Sequence, residues 1–207
     1  MTTLRAHSAS RDACDLPIYQ TYFPTHTLKC LGQPLFRSRA ARDYACLLDL
    51  EADVVSWRCV TEPIIGGSGP DDLRQHHVDF EVSLDNAAVL IDVGAMPAAP
   101  VWIHDAARRL GCRYQFVATS EFASLPRLQN ARDLLRYAGW EAALGDRIRI
   151  QMALEEHGSL TLAESLSAIR DGKPMQSIAA MILKGFIIVD LDEAPLGPDT
   201  IVRRATV

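Results

Sequence analysis

The stretch HHVDFEVSLDNAAVLIDVGAMPA, residues 76–98, decides how the first half of the chain is read. Apolar side chains recur at every second place: Val78, Phe80, Val82 and Leu84 in the first limb, Val89, Ile91 and Val93 in the second. That is the period of a strand, and the polar pair Asp85-Asn86 supplies a tight turn between two of them. Antiparallel strands are therefore expected over 78–84 and 87–94. Alternation turns Asp79 and Glu81 away from the apolar face of the first strand, and Asp92 and Gly94 away from that of the second. Two adjacent carboxylates can share a hard divalent ion, Mg²⁺ or Mn²⁺, which activates water and clamps a phosphate. A cation beside that water, usually lysine, would stabilise developing charge. The place two beyond Asp92 is Gly94, which offers none. On spacing alone, two solvent-facing strand carboxylates are the simpler reading.

Upstream, SRAARDYACLLDL (38–50) has Ser38 as a cap and Tyr44, Leu47 and Leu48 at helical spacing. DVVSWRCV (53–60) has strand composition, and PIIGGSGPDD (63–72) reads as a loop. Downstream, Pro100 opens a helix, PVWIHDAARRL, which Gly111 closes, and RYQFVAT (113–119) is another strand. Three strands, a crossover helix and a fourth strand predict an α/β (α+β) unit over 36–126, a mixed sheet flanked by helices. Residues 1–35, with Pro17, Pro24 and Pro34 and no period, read as an arm.

After Pro126 the pattern changes. RLQNARDLLRYAGW (127–140) and DRIRIQMALEEHG (146–158) are helical, and Thr161 with Glu164 forms a capping box. KPMQSIAAMILKG (173–185) is a third helix, and FIIVDLD and IVRRATV flank the turn EAPLGPDT. This is the order of a winged helix-turn-helix over 127–207.

Composition bounds the function. Of 207 residues, 48% are hydrophobic and 23% charged, as in soluble globular proteins. No apolar run suits a membrane span, and MTTLRAHSASRDACD lacks the apolar core of a signal peptide. Five cysteines without a C-x-x-C spacing argue against a disulfide framework or a zinc ribbon, so a reduced cytoplasmic protein is expected. The net charge of −5 excludes a broadly basic nucleic-acid-binding body. Any DNA contact must be local. Candidates are Arg37, Arg39 and Arg42 at the first helix, Arg127, Arg132 and Arg136 after the domain junction, and Arg203 and Arg204 on the last strand. Pairing of these arginines with Asp43 and Asp133 is the competing expectation. The expected recognition helix of the winged unit, PMQSIAAMILKG (174–185), offers only Gln176, Ser177 and Lys184 as polar side chains. Its stripe of Met175, Ile178, Met181 and Ile182 suits a core or a protein contact better than base readout. His76 and His77 are either extra ligands or solvated loop residues, and His104 is expected at the surface.

AARDYACLLDLEADVVSWRCVTEP (40–63), HHVDFEV (76–82) and VLIDVG (89–94) together resemble the N-terminal domain of TnsA-like transposon endonucleases, which have a restriction-endonuclease-like fold. RLQNARDLLRYA and GFIIVDLDEAPLGPDT are similar to the winged-helix part of the same family, so the resemblance covers roughly residues 35–205. It implies an active site made from a glutamate on the first helix, an aspartate before an aromatic residue, and a Glu-x-Lys strand. Here the helix glutamate falls at Ala41, the aspartate is kept as Asp79, the third carboxylate is shortened to Asp92, and the lysine is Gly94. Glu62 stands at the glutamine of the family's Glu-Gln-Pro segment. Asp79 and Asp92 would be a catalytic remnant and a weak metal site, and Ala41 and Gly94 mark lost positions. Asp43 is about 200° around the helix from Ala41 and cannot replace the glutamate. Arg42 cannot readily deprotonate, and no lysine lies between residues 30 and 172.

The leading expectation is thus a TnsA-like protein that has lost cleavage, requires no cofactor, and binds DNA or a protein partner in a transposition-type system. One alternative is an active endonuclease of a mobile element, with Mg²⁺ or Mn²⁺ in an altered site. The other is a transcription regulator acting through the winged helix.

Overall fold

A computed structural model describes residues 18–66, 73–97 and 99–205. Helix α1 (Arg39–Leu50) begins where expected, because the Ser38 hydroxyl accepts the Ala41 amide at 3.0 Å. Strand β1 (Val54–Cys59) follows. The segment read as a loop begins with β2 (Ile64–Gly66), which pairs antiparallel with β3 (Arg74–His76) just beyond it, and the rest of that loop, 67–72, lies outside the described residues. Three residues a side are too few to display a period. Gly66 is required there, since a Cβ would overlap the Trp102 ring.

Strands β4 (Phe80–Leu84) and β5 (Ala87–Gly94) form the expected hairpin, with Phe80 opposite Ile91 and Leu84 opposite Ala87. Helix α2 (Ile103–Arg109) carries the chain over to β6 (Cys112–Ala118), which runs parallel to β5. Gly111, at φ 75°, makes the turn between them. The four-stranded mixed sheet has the order β1-β4-β5-β6. One face packs on α1 and on α3 (Pro126–Leu135), burying Trp57, Phe80, Val82, Val89, Ile91 and Val93 with Phe36, Leu128 and Leu135. The other face packs Leu90 on Ile103 and Ala107 of α2.

Val78 departs from the expected alternation. It lies with Leu90 and Ile103, not with Phe80. The chain bends at Asp79, and regular β4 starts only at Phe80. The Asp79 backbone still bridges its neighbours, donating to Ile91 O at 2.9 Å and accepting from the Val60 amide at 3.1 Å.

The described part of the arm is tied down. Gln20 and Phe36 exchange backbone bonds, and Leu31 and Trp57 join it to β1. Asp49 accepts both the Lys29 amide and the Trp57 indole N–H, at 2.9 and 2.8 Å.

The second unit contains α4 (Leu144–His157), β7 (Ser159–Thr161), α5 (Leu162–Ser167), α6 (Pro174–Leu183), β8 (Ile187–Val189) and β9 (Ile201–Arg204). The capping box forms, with Thr161 and Glu164 bonding each other's amides. Strand β7, too short to be seen as a period, completes a three-stranded sheet of order β7-β9-β8. Its core is Ile150, Leu154, Ile178, Met181, Ile187 and Val202. Among the described residues, no helix is long and apolar enough to cross a membrane.

Candidate functional site

Asp79 and Asp92 come together, but not at a solvent-facing surface. They are only 6% and 7% exposed. They line a cavity of about 280 Å³ with Arg37, His76, Gly94 and Phe116. The bend at Asp79 and the register of β5 set one carboxylate beside the other, and Arg37, just before the Ser38 cap of α1, reaches across both.

Arg37 Nε donates to Asp79 Oδ1 at 2.9 Å, and its Nη2 donates to Asp92 Oδ1 at 3.0 Å. The second Asp79 oxygen accepts the Val93 amide at 2.8 Å. The second Asp92 oxygen accepts the Tyr114 hydroxyl at 2.8 Å and lies 2.5 Å from His76 Nε2. All four carboxylate oxygens are thereby satisfied. Burial raises the Asp79 pKa, and the bonds from Arg37 and Val93 oppose this without cancelling it. Burial also raises the Tyr114 hydroxyl, and its bond to Asp92 adds to the shift. His77 is lowered by desolvation and by the electrostatic influence of Arg37 and His76 beside it.

A fan of aromatic and polar groups extends this network. Tyr19 OH lies 3.4 Å from His77 Nδ1, and the His104 ring meets Tyr114 edge-on at 5.0 Å. Tyr114 was not among the expected site residues, because only the parallel β5–β6 register brings it to Asp92. Arg37, a candidate phosphate contact, is placed against the two carboxylates, whose charge would otherwise be buried unpaired.

The other expected residues divide by burial. Gly94 lines the cavity, and a Cβ there would meet Phe116 only at an ordinary 3.5 Å. Ala41 is fully buried in the main core and is not among the residues that line the cavity. Glu62 is exposed. Arg42 is also fully buried, donating to the carbonyls of Pro24 at 2.8 Å and His26 at 3.0 Å, so it cannot meet a phosphate. Arg39 and Arg132 both pair with Asp43, and Arg136 lies 3.9 Å from Asp133 while covering the Phe23 ring. The competing expectation, pairing with Asp43 and Asp133, is what the fold contains. Arg203 and Arg204 are exposed on β9.

Helix α6 is more enclosed than a reading helix should be. Ser177, Ile178, Ala179, Ala180 and Met181 are all buried, while Met175 is half-exposed. The loop after β8 is held against α3: Asn130 Nδ2 donates to Leu191 O and Ala194 O, both at 2.9 Å, and its Oδ1 accepts the Leu196 amide at 2.8 Å. Arg127 pairs with Asp192 at 2.9 Å.

The fit to a divalent ion is poor. Two carboxylates and a histidine adjoin, yet every carboxylate oxygen is hydrogen-bonded and a permanent cation bridges the aspartates. Among the described residues, no group of three or more His, Cys, Asp or Glu is arranged to hold a metal. No family model matches the chain, and no curated protein matches it.

Proposed function

We propose that this chain is a non-cleaving protein of the TnsA-like kind, with a restriction-endonuclease-like unit followed by a winged-helix unit, acting as a partner- or DNA-binding subunit in a transposition-type system in the cytoplasm. The observation that carries the reading is Arg37 spanning Asp79 and Asp92, the two carboxylates that the resemblance assigns to catalysis. A hydrolytic centre needs a cation that can polarise phosphate and yield a hydroxide. A guanidinium neutralises the carboxylates but holds no water as a Lewis acid, and it does not deprotonate. Gly94 adds no compensating charge.

Protein contact is favoured over base readout. Ser177 is buried, and the polar face left to α6 is small. The loop between β8 and β9 carries Asp190, Asp192, Glu193 and Asp199 and no basic residue, which repels a phosphate backbone. Incubation with supercoiled plasmid and Mg²⁺ or Mn²⁺ tests the reading. The expected result is intact plasmid, and nicking that disappears in Asp79→Ala would overturn it.

A further inference from the structure

The carboxylate pair already holds a cation, and that cation is covalently part of the chain. We propose that the Arg37 guanidinium is the resident cation of the cavity and that it shuts divalent ions out, so the aspartates seat an arginine rather than a metal. This deepens the non-cleaving reading and rests on it only for the origin of the carboxylates.

Geometry carries the inference. The planar fork of an arginine presents Nε and Nη2 in one plane, and here each reaches a different carboxylate, at 2.9 and 3.0 Å. A divalent ion shared through the two Oδ1 atoms would compete with Arg37 for both. The remaining oxygens already accept from the Val93 amide and from Tyr114, with His76 beside the latter, so an ion there would have to share oxygens that are hydrogen-bonded. An ion elsewhere in the cavity would face the guanidinium's positive charge at short range. Arg37 is also anchored on both sides in sequence. Phe36 before it is 2% exposed in the core, and Ser38 after it caps α1. Its side chain is only 26% exposed, and withdrawing it would leave two buried carboxylates repelling each other. Metal-site ligands normally wait for an external ion, whereas this site is filled as the chain folds.

The experiment removes the resident. Arg37→Ala and Arg37→Ser leave the aspartates unpaired and open the space to an external ion. Mn²⁺ binding is followed by electron paramagnetic resonance, alongside thermal melts with and without Mn²⁺. Wild type should show no bound Mn²⁺ and no change in melting. Both variants should melt lower, should bind one Mn²⁺ at least about tenfold more tightly than wild type, and should regain stability when it binds. Adding Asp92→Asn should abolish both the binding and the regain. If wild type binds Mn²⁺ as well as Arg37→Ala does, the exclusion is refuted. If both variants fold and bind none, Arg37 is not standing at a cation site. If neither folds even with Mn²⁺, the arginine does more than an ion could, and the proposal falls. None of these outcomes depends on DNA, so they separate from failure of the plasmid test.

Discussion

At the residue scale, the cost of losing a group follows from what it leaves behind in the cavity. Asp79→Ala removes a bond from Arg37 and strands the Val93 amide in a buried setting. The expected loss is about 3 kcal/mol in urea unfolding. Arg39→Ala should cost less than about 0.5 kcal/mol, since that side chain is 53% exposed and Asp43 keeps Arg132. Equal costs for the two would mean that Asp79 is not the buried partner described. Asp92 was legible because alternation along β5 and the Asp-Asn turn act over neighbouring residues, whereas Asp79 comes beside it through a bend that alternation does not predict. Tyr114 was not, because it arrives through a parallel pairing on the far side of a crossover. The role of Arg37 was hidden for a related reason: a sequence shows an arginine near a helix start, and only the fold shows which charge it meets.

At the scale of elements, one side chain fastens the second unit to α3 and another ties that unit together from within. Asn130 is 1% exposed and fastens the loop after β8 to α3 by three bonds. Asn130→Ala should cost about 2–3 kcal/mol. In hydrogen exchange, the Leu196 amide should lose protection while β4 and β5 keep theirs. Asp146 joins α4 to the turn before α6. Burial would raise its carboxyl, but the Arg170 amide, the Arg149 guanidinium and the Asp171 amide outweigh burial and hold it down at about 2. The folded state therefore binds this proton less readily than the unfolded chain does. The stability it confers is full above the ordinary carboxylate range and is lost as pH falls from about 4 toward 2. Thermal melts over that range should converge for wild type and Asp146→Asn, with wild type the more stable at pH 6. A gap that stays constant with pH would contradict this linkage. Helices α1, α4, α5 and α6, the Ser38 and Thr161 caps and the long strands were readable from period and capping residues, whereas α2 starts at Ile103 rather than Pro100 and α3 ends at Leu135 rather than running to residue 140. The strands β2, β3 and β7 were not, since three residues carry no period and form only where a partner strand awaits them.

For the whole molecule, a net charge of −5 confines any DNA attraction to local patches, and folding removes several of the candidates. Arg42 is inside, Arg37 serves the aspartates, and Arg132 serves Asp43. Arg203 and Arg204, exposed on β9, are the remaining pair on one strand. Replacing both with alanine should weaken binding to unrelated duplexes alike and reduce the salt slope by about 0.9 for each phosphate no longer neutralised. Gln176→Ala should leave binding nearly unchanged. A fall in affinity for one DNA sequence alone on Gln176→Ala would establish base readout by α6 and reverse the assignment.

The claim on which the account turns is that Arg37, and no external ion, sits between Asp79 and Asp92. Wild-type crystals soaked in Mn²⁺ and measured at a wavelength sensitive to manganese test it directly. The account predicts ordered density for the Arg37 guanidinium within hydrogen-bond distance of both carboxylates and no anomalous peak between them. A manganese peak bridging Asp79 and Asp92, with Arg37 turned out of the cavity, would contradict it.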